Sequence, residues 1–269
     1  MSIAVVKYSG AAMADPTLRA TVAVDVLALH RTGVHVVVVH GAGPQITAEL
    51  ARRGRPAVFS GGQRVTTAET LEVVRSVLVD RVNRELVDQI NTSGQVAVGV
   101  SGADAGLLIA ERRGPDAPGQ VDPGLVGDVT DVRPEPIHTL LDGGRIPVVA
   151  GLARTAAGAL LNVNADAAAA ALAVALGAER LMLLTDVAGL CAGWDGQSGR
   201  VLARLTAAEL SVLVGTLDGG MRPKMQACLR AVRGGVAAAQ VLDGRVPHAL
   251  LGMLAGPGPG PGAGTTVTA

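Results

Sequence analysis

The sequence predicts an α/β fold with a mainly parallel central sheet, and three stretches predict it. Residues 3–40 run from an apolar strand through a helix into a second apolar strand. Residues 161–190 repeat that order. His40-Gly41-Ala42-Gly43-Pro44 joins a strand to a helix through small residues. Two parallel strands wound around a helix form a right-handed unit, and continuous aliphatic strands belong to sheets covered on both faces.

Composition narrows the class. The 269 residues carry no net charge and are 49% hydrophobic but 1% aromatic, so Ala, Val and Leu must fill the core. That length suits one large α/β domain or two small lobes. Neutrality without a basic stretch argues against nucleic acid as the main partner. No apolar run is long enough to span a bilayer, and MSIAVVKYSG lacks the basic start and apolar core of a signal peptide. Cys191 and Cys228 are too few and too far apart to suggest a metal site or a disulfide framework. The expectation is a cytoplasmic protein with no membrane partner.

The elements follow in order. Ile3 to Val6 is a buried strand ending at Lys7, and Ser9-Gly10 is a loop. Residues 17–32 place Leu18, Val22, Val26 and Leu29 at helical spacing, and Gly33 stops them. Residues 34–40 form the next strand, and Pro44 stands at a favoured early helix position. Residues 67–92 read as one long helix with Leu71, Val74, Leu78, Val82, Leu86 and Ile90 as its stripe, suited to core and interface alike. Residues 95–100 form a strand, 112–123 a Pro/Gly-rich loop and 124–132 an alternating, exposed-edge strand. A helix over 136–142 and a strand over 146–149 lead to a lobe boundary near Ala150, dividing 1–150 from 151–269.

In the second half, Asp166 is placed to cap or open a helix over 166–177, which stops at Gly177. Residues 180–184 form a buried strand. Residues 193–199 form a loop carrying the only Trp, Trp194. Thr206 caps a helix to Val214, Gly219-Gly220 opens one over 221–232, and 236–242 is a strand. Residues 247–254 read as a helix, 256–264 as a low-complexity run, and 265–267 as a last edge strand.

Chemistry concentrates in a few places. Of 23 Lys plus Arg only two are Lys, Lys7 and Lys224, and both stand beside glycines. Lys offers a compact point charge where Arg offers a planar fork, and a phosphoryl group in transfer calls for such charges. Lys224 falls in a helix's first turn, where a cation opposes the dipole, so an anionic ligand resolves the conflict. Asn162, Asn164 and Asp166 crowd a strand end and a helix start, where open α/β sheets bind ligands; capping alone needs one of them. Backbone N–H groups of the 41–43 loop can cradle an anion. It is no Walker A loop, since GxxxxGK[ST] occurs nowhere in the chain. Arg64, ahead of the long helix, can clamp a carboxylate. The five His form no ligand spacing and no triad.

With these residues in view, the chain resembles the acetylglutamate kinases of the amino acid kinase superfamily along almost its whole length. Lys7-Tyr8 with Gly10 resembles the family's first-strand lysine motif, His40 to Pro44 its glycine loop, and Gly62 to Thr66 its carboxylate-binding segment. Asn162 to Asp166, Leu184 to Gly189 and Gly220 to Lys224 resemble its nucleotide-side motifs. Gly244 to His248 and Gly264-Thr265 resemble its tail. The resemblance implies a three-layer αβα sandwich, the amino acid kinase fold, with the acyl amino acid and dimerisation in the N-terminal lobe and Mg2+-bearing ATP in the C-terminal lobe. It implies ATP-dependent phosphorylation of the side-chain carboxylate of N-acetyl-L-glutamate, an arginine-pathway step. It implies that Lys7 and Lys224 stabilise the transferring phosphoryl group, that Asp166 holds both lysines, and that Gly10 and Gly43 donate backbone N–H groups. Gly41, Ala42, Arg64 and Asn162 would hold the acyl amino acid. Asp186, Val187, Ala188, Gly189, Leu190 and Cys191, with Thr216, Leu217 and Asp218, would line the nucleotide.

The departures from the family pattern fall on the acyl side. Ser9 and Ala11 stand where Gly and Asn are usual, Ala42 replaces a loop glycine, Gln63 replaces a Leu, and Ala150-Gly151-Leu152 replaces a more polar run. If position 42 needs positive φ, Ala costs roughly 1 kcal/mol there and its methyl intrudes on the site. A kinase of a related acyl amino acid, or a nucleotide-binding regulatory protein, stand as alternatives. Arginine-inhibited members carry a helix ahead of the first strand and a Glu after the Val-Pro-His motif. Here the first strand begins at Ile3 and residues 250–254 hold no carboxylate. The resemblance therefore implies a homodimer, with residues 67–92 at its interface, that is insensitive to arginine.

Overall fold

The computed structural model describes residues 2–115, 119–192, 200–217, 219–253 and 264–269. The loop carrying Trp194, the low-complexity run up to residue 263 and Asp218 lie outside them. In chain order the elements are β1 (Ile3–Tyr8), α1 (Pro16–Arg31), β2 (His35–His40), α2 (Gly43–Arg52), β3 (Phe59–Ser60), β4 (Gln63–Arg64) and α3 (Ala68–Arg75). A π-helical stretch (Ser76–Asn83) then leads into α4 (Arg84–Ile90), followed by β5 (Ala97–Ser101), β6 (Leu108–Arg112), β7 (Val126–Val132) and α5 (Glu135–Asp142). Next come β8 (Ile146–Ala150), β9 (Leu152–Arg154), β10 (Leu160–Val163), α6 (Ala165–Ala175), β11 (Arg180–Thr185), β12 (Cys191–Ala192) and β13 (Arg200–Val201). The chain closes with β14 (Arg204–Thr206), α7 (Ala207–Leu213), α8 (Met221–Arg233), β15 (Ala238–Asp243) and β16 (Thr265–Thr268).

One eight-stranded sheet runs β14-β16-β15-β11-β1-β2-β8-β5, and only the β15–β16 pairing is antiparallel. The two-residue period of β1 splits its side chains between two layers. Ile3 and Val5 pack with α6 and α8, while Ala4, Val6 and Tyr8 pack with α1 and α2. Lys7 therefore shares the α6 face. The chain leaves β1 towards β2 on one side and returns as β11 on the other. Such a reversal of strand order opens a crevice at the carboxyl ends. α6 and α8 each precede a parallel strand, so both start at that same end. α6 is nearly all alanine, and Ala168 to Ala170 are fully buried, so its backbone comes close to the sheet.

Several expectations are corrected. Residues 124–132 are no exposed edge: β7 closes a small barrel with β10, β6 and β9. β16 is no edge either, since it lies between β14 and β15. Residues 247–253 hold a turn and the short 3-10 segment Leu251–Met253 where a helix over 247–254 is expected, and Leu254 lies outside the described residues. The long helix exists but is interrupted by the π-helical turn that ends at Asn83. α6 is capped by Asn164, whose Oδ1 accepts from Asp166 N at 2.8 Å and Ala167 N at 3.1 Å, so Asp166 is not the cap.

Candidate active site

The carboxyl end of β1 supplies the first cation. Lys7 Nζ lies 2.6 Å from Asp166 Oδ1, and each side chain is 7% exposed. Burying two charges is tolerable only when they meet so closely. Asp166 rides in the first turn of α6, where the dipole favours a carboxylate. Burial, helped by the Asp166 charge, also pushes up the Cys228 thiol on α8, so the carboxylate's field reaches that helix. Lys224, in the first turn of α8, sets its Nζ 3.2 Å from the Gly220 carbonyl. The structure thus joins Asp166 to Lys7 and leaves the Lys224 ammonium on backbone; the expected grip on both lysines is half present.

The glycine loops after β1 and β2 meet each other. A Cβ on Gly10 would stand 2.9 Å from Gln45 Oε1 and 3.0 Å from Gly43 N, so only glycine fits. Gln45 Nε2 donates to the Gly10 carbonyl at 3.0 Å and fixes the spacing. Gly43 opens α2, so its N–H has no intrahelical partner. Among the described residues the Gly10 N–H makes no hydrogen bond either. Ala42, the α2 cap residue, has φ −153°. That lies outside the left-handed region that favours glycine, so the strain expected of a positive φ is absent. Its methyl is buried in the α1/α2 core, not the site.

In the region expected to hold the acyl group, Arg64 Nη2 donates to the Gly43 carbonyl at 2.9 Å and to Thr47 Oγ1 at 2.7 Å. Its guanidinium sits 4.8 Å above the Phe59 ring. Nη1 is buried with no partner, and burial lowers the guanidinium pKa. An orphaned buried N–H pair is costly unless a ligand completes it. Asn162 Nδ2 donates to Thr66 Oγ1 at 3.3 Å, which in turn donates to the Arg64 carbonyl at 2.8 Å. Arg64, Asn162 and the 41–43 loop therefore form one connected group. Thr47, Thr66 and Gln45 belong to it; Thr66 closes the Gly62–Thr66 segment, whereas Thr47 and Gln45 carried no assigned role in the sequence, and the one-turn spacing of Gly43 and Thr47 was the available signal.

A cleft of about 730 Å3 opens beside these residues, lined by Gln63, Asn164, Leu217, Arg222 and Arg230 among others. It separates the β3–β4 hairpin from the start of α8. Of the residues expected along the nucleotide, Leu217 lines it. Thr216 Oγ1 caps the Leu213 carbonyl at 2.8 Å. Asp186, at the end of β11, accepts from Thr185 Oγ1 at 3.0 Å and is exposed, as is Ala188; Val187 lies half-buried between them. Gly189, with φ 141°, and Leu190 are pinned by Thr265: Leu190 N donates to Thr265 Oγ1 at 2.8 Å, and a Cβ on Gly189 would stand 2.8 Å from that oxygen. The Leu190 side chain belongs to the core. Cys191 opens β12 and pairs with Val201.

Comparison with known proteins identifies the family. The model of the amino acid kinase family matches residues 2–243. The acetylglutamate kinase of Frankia alni is 57% identical over 248 residues, covering 92% of this chain and 72% of that protein. That of Acidothermus cellulolyticus is 56% identical, covering 92% and 85%. Among solved structures, an N-acetylglutamate synthase from Neisseria gonorrhoeae, complexed with coenzyme A and N-acetyl-glutamate, superposes with a TM-score of 0.84 at 25% identity. The match covers all of this chain but 59% of the synthase. The carbamate kinase of Giardia lamblia superposes at 0.72 with 18% identity, over 99% and 98% of the two chains, which supports the fold. Sheet order, the lysine–aspartate pair, the paired glycine loops and the family match converge: the chain belongs to the amino acid kinase family.

Proposed function

We propose that this chain is a kinase that phosphorylates the side-chain carboxylate of N-acetyl-L-glutamate with ATP, the arginine-pathway reaction. The observation that carries the reading is the buried Lys7–Asp166 pair beside two glycine loops with unengaged N–H groups. A carboxylate is already a nucleophile, so no general base is needed. Its oxygen attacks the γ-phosphorus, the bond to the β-bridging oxygen breaks, and ADP leaves with the electron pair. The site's task is to align two anions and neutralise the charge between them. Lys7 and Lys224 supply cations, Gly10 and Gly43 supply N–H donors, and Arg64 Nη1 meets a substrate carboxylate.

In this reading residues 1–150 hold the acyl amino acid and 151–269 the nucleotide, with Asp186 to Cys191 and Thr216 to Asp218 along it. In this reading Mg2+ arrives with the nucleotide, where it would help to neutralise phosphate charge. The helix from α3 to α4 offers its exposed face to a second copy in a homodimer, and the enzyme works in the cytoplasm. No helix among the described residues is long and apolar enough to cross a membrane. Gln63 in the cleft wall favours a second reading, in which a related acyl amino acid is the acceptor.

The test is ADP release from ATP with N-acetyl-L-glutamate, N-acetyl-L-aspartate and free glutamate, with hydroxylamine trapping the acyl phosphate. Hydroxamate formed best from N-acetyl-L-glutamate is expected. A better analogue would move the assignment to that acceptor, and ATP binding without hydroxamate would overturn it.

A further inference from the structure

The π-helical stretch Ser76–Asn83 buries Val77, Leu78 and Val82 in the core and ends at Asn83. π geometry is rare and recurs at functional sites. Here it turns Asn83, 5% exposed, towards the sheet. Asn83 Nδ2 lies 2.8 Å from the Val148 carbonyl and 3.0 Å from His40 Nε2. A carbonyl only accepts, so the Val148 oxygen identifies the atom facing it as the amide nitrogen. The other N–H of that nitrogen then points at His40, which makes Nε2 the acceptor and leaves the ring proton on Nδ1. Nδ1 lies 3.3 Å from the Gly41 carbonyl, to which it donates. β5 makes room: a Cβ on Gly99 would collide with Asn83 Oδ1, which accounts for glycine in a strand.

The Gly41 carbonyl and the Ala42 N–H share one planar trans peptide and point in opposite directions. Holding the carbonyl against His40 turns the Ala42 N–H away from the ring. Among the described residues that N–H makes no hydrogen bond. It belongs to the loop whose neighbouring N–H, that of Gly43, faces Gly10.

We infer that Asn83 is a positioning residue for phosphoryl transfer: through the Nδ1–H form of His40 it fixes the peptide plane that aims the Ala42 N–H at the reacting anions. The inference rests on the kinase reading for its functional consequence, but its geometric half stands alone. Burial holds the His40 pKa down to about 4, and the Gly41 carbonyl is the only opposing influence. Charged groups on the surrounding elements are engaged elsewhere. Lys7 of β1 pairs with Asp166 of α6. Arg81 of the π segment reaches the Gln45 carbonyl. Glu49 of α2 is held by Arg52 and Arg53. Tyr8 donates to the Ala12 carbonyl, and β8 has no ionisable side chain. Wild-type His40 is therefore neutral throughout the assay range.

The discriminating variant is Asn83→Asp. An acceptor-only side chain draws the ring proton to Nε2 and leaves a lone pair on Nδ1 facing the Gly41 oxygen. The carboxylate also raises the pKa of His40, and protonation at lower pH restores Nδ1–H. The expected result is kcat at least tenfold low at pH 8, rising as pH falls, with the KM for ATP within twofold of wild type. Asn83→Leu, with no donor at all, should lose kcat tenfold or more at every pH. A purely structural Asn83 would lower the melting temperature of both variants and leave the shape of the pH profile unchanged, which would overturn the inference. A third measurement needs no variant: 15N spectra of the wild-type imidazoles should show His40 protonated at Nδ1, and an Nε2–H signature would overturn it. Wild-type turnover of N-acetyl-L-glutamate, measured alongside, tests the kinase reading separately.

Discussion

Lys7 and Asp166 come from opposite ends of the fold's construction, one from the first strand and one from the start of α6, and they meet at 2.6 Å almost out of reach of solvent. Neither charge has another charged partner in contact among the described residues. The pair ties the first strand to the start of α6.

Asp166→Asn is therefore expected to destabilise the protein by roughly 3 kcal/mol, because it strands the buried ammonium, with a melting temperature lower by about 10 °C. Adding Lys7→Met should restore much of that loss without restoring turnover. Calorimetry on the single and double variants checks this. Equal melting of wild type and Asp166→Asn would show that the pair contributes nothing.

The lysines should separate. Lys7→Arg must fit a larger fork into a buried slot, so kcat and stability both fall. Lys224 is half-exposed and, among the described residues, bonded to a backbone carbonyl, so Lys224→Arg meets less steric resistance. It should melt normally while kcat falls by about 100-fold, the scale of one lost transition-state contact. Normal turnover in Lys224→Arg would remove it from the mechanism.

Arg64→Lys should raise the KM for the acyl amino acid roughly 10- to 100-fold, the worth of a charged hydrogen bond, and leave the KM for ATP alone. Initial rates with each substrate varied in turn decide it. An unchanged acyl KM would mean that Nη1 is simply unsatisfied.

Ala42→Gly tests whether the loop after β2 needs a glycine at this position. With φ at −153° and the methyl in the core, the expected result is unchanged turnover and a loss of about 1 kcal/mol from lost burial and added chain entropy. Denaturant titration measures it.

His40 makes stability depend on pH in a defined direction. Its folded pKa, about 4, lies below the unfolded value near 6.5. Below pH 6.5 the unfolded chain binds a proton that the native state refuses. Stability therefore falls as pH drops from 6.5 towards 4 and levels off beneath that, for a total of about 3 kcal/mol from this group. Urea unfolding of wild type and His40→Gln at pH 7 and pH 5 should show the gap between them shift by about 2 kcal/mol.

Much of the fold was legible because the central strands are continuous aliphatic runs and the helices end at Gly or begin at Thr and Pro. The barrel was not: β9 and β10 are three and four residues long, too short for a period to register, and β7 alternates as an exposed edge would. The lysines and glycines of the site could be read because their types are scarce or sterically required. Asn164 and Asp166 could not be told apart as caps, since both suit the role and only the position of Lys7 decides which is free to cap. The π turn leaves no periodic trace, so Asn83 read as one more polar residue beside a helical stripe.

The placement of β1 between β2 and β11 also bears on synthesis. β2 is available almost at once, but β11 follows some 140 residues later, on the order of ten seconds at the ribosome. Until then one edge of the first strand has no partner and Lys7 has no counter-charge. The nascent amino-terminal half must therefore wait in a partly paired state, exposed to chaperones and to strand-edge association. Lys7 gains its counter-charge only once α6 has been made and docks against the sheet.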